Sequence, residues 1–403
     1  MSIPIWEIFQ GIYTLFISEP GIAIGRIVLI LLGAAFLYLG FKGILEGLIM
    51  VPMGIAMIGV NAGTMVLEAG RMGTLFVDPL TAEPNALMNI LQINFLQPIY
   101  TYTFSNGLIA CLVFMGIGSI TDIDFLIAKP VLSMLLAVAA EFGTIFTFPI
   151  AIACGFTPGE AASIAIVGGA DGPMVLFTSL SLARNLFVPI SVVAYIYLSL
   201  CYAGFPYLIK GLIPKSMQGT PMNLAEIPKI SRAEKFTFTV VCATVLCLLF
   251  PVAAPLFASF FLGVAIKESN LPRHLEFLST TVLYGSTFFL GFVLGSLLSA
   301  DVILNSKVWL LLILGCLSLL LSGLGGLAGG VIAYKVSRGK INPLIGIAGV
   351  SCVPTTAKVA QKCAFQANKK CMILPFAMGP NVAGVITTAI IAGIYIAGVP
   401  FLK

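Results

Sequence analysis

The sequence predicts an all-α polytopic membrane protein, in two comparable halves whose interrupted helices meet near the membrane midplane. Three observations predict it. Of 403 residues, 59% are hydrophobic and 9% charged, with a mean hydropathy of +1.08; soluble domains carry roughly a quarter charged residues. Apolar runs of about 20 residues recur along the chain, each long enough to cross a hydrocarbon core. Between them lie apolar segments broken by glycine and proline, the pattern of transporters that bind ions at the open ends of discontinuous helices.

The first 27 residues, "MSIPIWEIFQGIYTLFISEPGIAIGRI", carry Glu7 and Glu19 and lack the basic start of a secretory signal. Trp6, Phe9, Tyr13 and Phe16 suit an interfacial amphipathic helix ahead of the first span. Spans are expected over about 28–41, 44–61, 104–120, 130–155, 186–209, 237–266, 280–299, 308–334 and 372–398. Residues 64–100, mixed in character with Glu68, Arg71, Asp78 and Glu83, read as a loop plus an interfacial helix. The most polar connection, 210–236, holds Lys210, Lys215, Lys229, Arg232 and Lys235 and reads as a cytoplasmic loop. It divides the chain into candidate repeats, 28–209 and 237–403.

Those halves resemble each other. "LVFMGIGSITDIDFLIAKPVLSMLL" parallels "FFLGFVLGSLLSADVILNSKVWLLLIL", and "FTPGEAASIAIVGGADGP" parallels "INPLIGIAGVSCVP", pairing Pro173 with Pro354 and Asp171 with Cys352. The formal charge of +5, scattered over loops, gives no nucleic-acid surface, and the nine cysteines contain no Cys-X-X-Cys pair and suggest neither a metal nor a disulfide framework.

Asp171, inside "AASIAIVGGADGPMVLFTSLSLA", is the sharpest chemical feature. An acid at membrane depth costs about 2.5–3.5 kcal/mol even on lenient scales. The surrounding glycines let the backbone open and turn carbonyl oxygens inward. A carboxylate with free carbonyls is a hard-oxygen site for a small cation; the plainer alternative is a helix cap. In "FAMGPNVAGVITTA", Gly379-Pro380 is expected to interrupt a span, Asn381 to offer an amide oxygen, and Thr387 and Thr388 hydroxyls; the alternative is a proline kink with small packing residues. "GVSCVPTTAK" adds Ser351, Thr355 and Thr356 beside Pro354. Lys358 and Lys362, four apart with Gln361 between, followed by Lys369 and Lys370, are either a solvated face or a cationic vestibule for an anionic substrate. Tyr195 and Tyr197 lie in an apolar span, where a phenol seeks a partner or packs at the interface. Glu141 is a second acid inside a span, facing the same cavity or pairing with a lysine. His274, the single histidine, stands among charged loop residues and points to no histidine chemistry.

"GGADGP", followed by "KINPLIGIAGVSCVPTTAKVAQK" and "AMGPNVAGVITTAIIAG", resembles the beta subunit of sodium-translocating, biotin-dependent decarboxylases, from about residue 28 to the C-terminus. The resemblance implies two inverted repeats with re-entrant broken helices, and a homo-oligomer, with a trimer expected. It implies a membrane subunit that takes carboxybiotin from a biotin carrier protein, releases CO2, exports Na⁺ and consumes a proton. A carboxyltransferase subunit and a small further membrane subunit are the implied partners, and a bacterial or archaeal cell membrane the location. By motif position Asp171 matches the family's sodium-site aspartate and Asn381 its embedded asparagine. Tyr197 takes the place of an implicated tyrosine, and Ser351 that of the serine in "GVSxVP". Asp171, Tyr197 and Lys358 are the implied catalytic residues, and Asp171, Asn381, Ser351, Thr387 and Thr388 the expected Na⁺ ligands. Lys358, with Gln361 and Lys362, is expected to receive the carboxybiotin carboxylate, without the bidentate fork of the arginine the family often has there. Phe376 and Glu141 also depart from the family, which often has His and Gln; these differences lean toward malonate as the acid. A cation/proton antiporter or carboxylate symporter fits the broken repeats alone, and a plain membrane anchor ranks last because it explains neither Asp171 nor Asn381.

Overall fold

The computed structural model describes residues 8–67, 72–78, 94–223, 228, 230–304 and 306–402. Its elements, in order, are α1 (Gln10–Ile17), α2 (Pro20–Phe41), α3 (Gly47–Ala62), β1 (Met65–Val66) and β2 (Met72–Gly73). Then come α4 (Gln97–Phe104), α5 (Leu108–Ile120), α6 (Asp124–Ala128), α7 (Pro130–Ala140), α8 (Phe142–Ala153), α9 (Pro158–Ala165), α10 (Gly172–Leu182) and α11 (Phe187–Leu212). The remainder is α12 (Lys215–Gln218), α13 (Arg232–Leu249), α14 (Ala254–Glu268), α15 (Pro272–Ser296), α16 (Ala300–Ile303), α17 (Ser306–Val336), α18 (Thr355–Ala367) and α19 (Leu374–Gly398). Six helices among the described residues are long and apolar enough to cross a membrane, and up to eight if each of two bent pairs is one span. The protein is therefore a helical, multi-pass membrane protein.

The chain forms two compact units. The first comprises residues 1–109 and 285–311. In it α2 and α3 form a hairpin in which Gly33 and Gly54 lie against each other's backbone, so that small residues let the helices approach closely. Arg26 is buried here, its guanidinium donating to the carbonyls of Asn61 (2.9 Å) and Gly11 (3.2 Å) and to Thr14 Oγ1 (3.1 Å). The expected interfacial helix is α1, which ends at Ile17, and the first span starts at Pro20 rather than near residue 28, because Pro20 opens the helix directly after it. The mixed region 64–100 contains the small antiparallel pair β1–β2, which the sequence did not suggest; Glu68, Arg71 and Glu83 lie outside the described residues.

The second unit, residues 110–284 and 312–403, contains every candidate site residue. The run 237–266, expected as one span, is a helical hairpin of α13 and α14. Pro251 disfavours helical geometry at the preceding residue, and Phe250 accordingly leaves the helix at φ −130°, ψ 69°. The run 130–155 is interrupted at Glu141 (φ −81°, ψ 7°), where α7 ends and α8 begins.

Two re-entrant hairpins organise this unit. The first runs from Thr157 to Asn185. Thr157 and Glu160 form a capping box that starts α9. Asn185 Nδ2 then donates to Glu160 Oε1 at 2.8 Å, so the segment returns to where it began. α9 and α10 are about 12 and 16 Å long at 1.5 Å per residue, half of a hydrocarbon core about 30 Å thick. The tip is a short 3₁₀ turn, Ile166–Gly169, followed by Ala170 and Asp171. The second hairpin runs from Asn342 to Cys371. Asn342 Nδ2 donates to the carbonyls of Gln218 (2.9 Å) and Thr220 (2.8 Å), Asn368 Nδ2 to that of Gly219 (3.0 Å), and Cys371 Sγ to that of Thr220 (3.1 Å). Its arms are the 3₁₀ helix Pro343–Gly349 and α18, and its tip is 350–354. α11, which bends by 49° between Tyr197 and Leu200, runs from the mouth of the first hairpin to the mouth of the second. The hairpins therefore enter from opposite ends and meet tip to tip, as inverted broken segments.

Candidate ion site at the hairpin tips

The first tip is built by its glycines and one strained residue. Ala170 has φ 54°, ψ 32°, the left-handed conformation that costs a residue bearing Cβ about 1–2 kcal/mol. Gly169 lies flat against the side chain of Thr388, and Gly172 against the ring and hydroxyl of Tyr195; a Cβ at either would collide. Ser318 Oγ of α17 donates to the carbonyl of Ala165 at 3.1 Å, satisfying backbone that the break would otherwise leave bare.

Asp171 then starts α10. Its Oδ1 accepts from the Met174 backbone N–H at 3.2 Å, so the capping alternative holds for one oxygen. Its Oδ2 accepts from Ser351 Oγ at 3.0 Å, and the Ser351 N–H donates to the Gly169 carbonyl at 2.9 Å. One residue of the second tip thus joins the carboxylate and a freed carbonyl of the first. Asp171 and Ser351 are both buried.

The third component comes from α19. Asn381 Nδ2 lies within bonding distance of the carbonyls of Ala348 (2.8 Å) and Val350 (3.3 Å) and of Thr356 Oγ1 (2.9 Å). Its Oδ1 is buried with no hydrogen-bond partner. A buried acceptor without a donor is costly, and either a hydrogen-bond donor or a cation would satisfy it. Gly384, one turn on, lies against the Gly349 carbonyl and Ser351 Cβ. The expected interruption at Gly379-Pro380 is absent: α19 runs unbroken from Leu374 to Gly398. Pro380 stands in its second turn, where little helix precedes the ring and one lost hydrogen bond is tolerated.

Other expectations are redistributed. Thr387 Oγ1 donates to Glu141 Oε1 at 3.2 Å, and Thr388 Oγ1 donates to the same oxygen, so both hydroxyls serve Glu141 rather than Asp171. Tyr197 donates to the Leu312 carbonyl and packs on Gly315, while Tyr195, with its hydroxyl unpartnered, lies beside Gly172 and faces the charge of Asp171. Two residues on a helix differ by about 200° in direction, so only one of this pair can face the tip. Gln361 is occupied at both ends: Oε1 accepts from the N–H groups of Ile373 (2.7 Å) and Leu374 (2.8 Å), and Nε2 donates to the Cys371 carbonyl (3.0 Å). It braces the turn into α19. Lys358 and Lys362 are exposed on one face of α18, with Lys362 over the Tyr202 ring at 5.3 Å, while Val359, Ala360, Cys363 and Ala364 bury the other face.

This geometry fits a membrane protein of the ion-carrying class: opposed re-entrant hairpins whose tips hold a buried carboxylate and a hydroxyl, with an amide oxygen supplied by α19. The chain matches the family described as the Na⁺-transporting oxaloacetate decarboxylase beta subunit over residues 25–399. It is 54% identical to the carboxybiotin decarboxylase of Malonomonas rubra, over 97% of both chains. It is 36% identical to the methylmalonyl-CoA decarboxylase subunit beta of Propionigenium modestum, over 93% of this chain and 95% of the relative. To the oxaloacetate decarboxylase beta chain of Haemophilus ducreyi it is 32% identical, over 96% and 97%. The chain belongs to the family of Na⁺-transporting decarboxylase beta subunits.

Proposed function

We propose that this subunit decarboxylates carboxybiotin carried by a partner protein and couples CO2 release to Na⁺ export across a bacterial or archaeal cell membrane. The observation that carries the reading is the tip-to-tip contact in which Ser351 donates to Asp171, with an unpartnered oxygen on Asn381, whose amide holds the backbone of the second tip at Val350. Asp171, Ser351 and Asn381 supply Na⁺ ligands. The same three elements, two hairpin tips and α19, bring them together, so a shift of one hairpin dismantles the site. The mouth of the second hairpin carries Lys210, Lys215, Lys369 and Lys370, which favours the cytoplasmic side. Lys358, one turn from that hairpin's tip, then faces the cytoplasm as the carboxylate receiver, with Lys362 one turn further out.

The carboxybiotin supplies an N–C bond whose breakage yields CO2 and leaves an electron pair on the ureido nitrogen. Asp171 holds the proton that this nitrogen takes up; its return to the anion favours the next Na⁺. Tyr195, beside Gly172 at the first tip, and Tyr197 are the phenols of α11 nearest this chemistry. The halves 28–209 and 237–403 act as the two repeats, each contributing one hairpin. A carboxyltransferase subunit, a biotin carrier protein and a small membrane subunit complete the assembly, with this subunit as a trimer.

The test is decarboxylation of free carboxybiotin by the purified subunit, with and without Na⁺. Stimulation by Na⁺ is expected; sodium exchange without decarboxylation indicates an antiporter instead. Within the same assay, Lys358→Gln raises the carboxybiotin KM by roughly tenfold, the worth of about 1.4 kcal/mol of charge pairing, with little change in kcat. Lys358→Arg retains or improves it. An unchanged KM in Lys358→Gln removes this residue from the substrate path.

A further inference from the structure

Glu141 is buried in this unit, as Asp171 and Glu160 are, and nothing in the reading above uses it. It is 1% exposed and sits at a one-residue irregularity where α7 passes into α8, its N–H still bonded to the Ala137 carbonyl at 3.1 Å and its carbonyl accepting from the Ile145 N–H at 3.0 Å. The irregularity is supported from outside: the Gly143 N–H donates to Ser322 Oγ at 3.1 Å, one turn along α17 from the Ser318 that supports the Ala165 carbonyl. Both of its oxygens face hydroxyls. Thr387 and Thr388 donate to Oε1, and Thr144 donates to Oε2. No lysine, arginine or histidine pairs with it among the described residues.

We propose that Glu141, Thr144, Thr387 and Thr388 form a second Na⁺ site, which rests on the reading that this subunit carries Na⁺. Five oxygens from one carboxylate and three hydroxyls make a hard ligand set of the size a monovalent cation needs, with no nitrogen or sulfur to favour a transition metal. A hydroxyl can accept the ion on its lone pairs without losing its proton, and Thr387 already has the Gly384 carbonyl at 3.0 Å for its hydrogen. Charge balance favours the site as well. Two bare carboxylates buried in one unit at membrane depth would be costly, and a bound cation offsets the charge of Glu141. Among the described residues the other titratable group facing Glu141 is Tyr395, whose hydroxyl donates to the Thr144 carbonyl at 2.7 Å.

The two sites also share a wall. Gly169 rests on Thr388, a ligand of the new site, while its carbonyl accepts from Ser351, a ligand of the Asp171 site. Gly168 lies against the Thr144 backbone and Ser318. Displacing the first tip therefore disturbs both ions together.

The experiment is equilibrium binding of radioactive Na⁺ to the purified full-length chain in lipid nanodiscs. The wild type is expected to hold two equivalents, and Glu141→Gln and Asp171→Asn one each. Thr388→Val, which keeps shape and loses a hydroxyl, should weaken one class of site by about tenfold and leave the other unchanged; it also serves if Glu141→Gln folds poorly. If Glu141→Gln binds as much Na⁺ as the wild type, Glu141 holds only a proton and the proposal falls while the Asp171 site stands. A wild type that binds a single equivalent, lost in Asp171→Asn, has the same meaning. No bound Na⁺ in the wild type overturns both.

Discussion

Asp171→Asn is expected to abolish Na⁺-stimulated decarboxylation while leaving the fold intact. Asparagine caps helices as well as aspartate does, so the contact with the Met174 N–H survives through Oδ1, while the amide nitrogen that replaces Oδ2 donates to Ser351 Oγ and so reverses that bond. What disappears is the negative charge and the exchangeable proton. A positioned proton donor is worth about 10²–10⁴ in rate, so turnover should fall at least 10²-fold, and Na⁺ should no longer raise it. Removing an intramembrane charge does not destabilise a helix tip, so the thermal midpoint without Na⁺ should be no lower than that of the wild type. Asp171→Glu keeps the charge but displaces it by a methylene, and an intermediate rate is expected. The measurements are initial rates against Na⁺ concentration, Na⁺ uptake into proteoliposomes, and thermal unfolding of the same preparations. Full Na⁺-dependent turnover in Asp171→Asn would remove this residue from the coupling mechanism.

The chain announces its two hairpins where backbone chemistry leaves a local mark. Glycine and proline at 168–173 and at 349–354, with Thr157 and Glu160 at the required spacing for a capping box, are readable as breaks and starts. The interruption at Glu141 left no such mark. "AVAAEFGTIF" reads as a continuous helix, and at the irregularity the Gly143 N–H donates instead to Ser322 Oγ, distant in sequence. The opposite error occurred at Gly379-Pro380, where the expected break is a continuous helix because position within the element decides what a proline does. Motif position selected Tyr197, whereas Tyr195 faces the tip; the choice depends on the absolute rotation of α11, which only packing sets. Gln361 looked like part of a cationic strip, yet its amide holds the backbone of the following turn. The ties that close the second hairpin, Asn342 and Asn368 on the carbonyls of 218–220, join residues over 120 positions apart and are invisible to local pattern.

Asn381→Ala is the variant expected to combine lost stability with lost Na⁺ affinity, and the two losses can be separated. Removing the amide strands the buried carbonyls of Ala348 and Val350 and the Thr356 hydroxyl. Each lost partner costs about 1–3 kcal/mol, softened where Thr356 still donates to the Val350 carbonyl at 2.7 Å, so a total near 3 kcal/mol is expected. That loss alone follows from a purely structural asparagine. The unpartnered Oδ1 argues for more. A ligand that binds the folded state stabilises it by about 2.7 kcal/mol at a hundredfold excess over Kd, so Na⁺ should raise the wild-type thermal midpoint. If Oδ1 contacts the ion, this Na⁺-dependent increment shrinks in Asn381→Ala, and the Na⁺ concentration for half-maximal rate rises tenfold or more. If Asn381 only holds the second hairpin in place, the variant starts from a lower midpoint, and the increment produced by Na⁺ is unchanged. Thr356→Val provides the reference, because it loosens the same backbone without touching the orphaned oxygen. A smaller Na⁺ increment in Asn381→Ala than in Thr356→Val identifies Asn381 as a ligand rather than a brace.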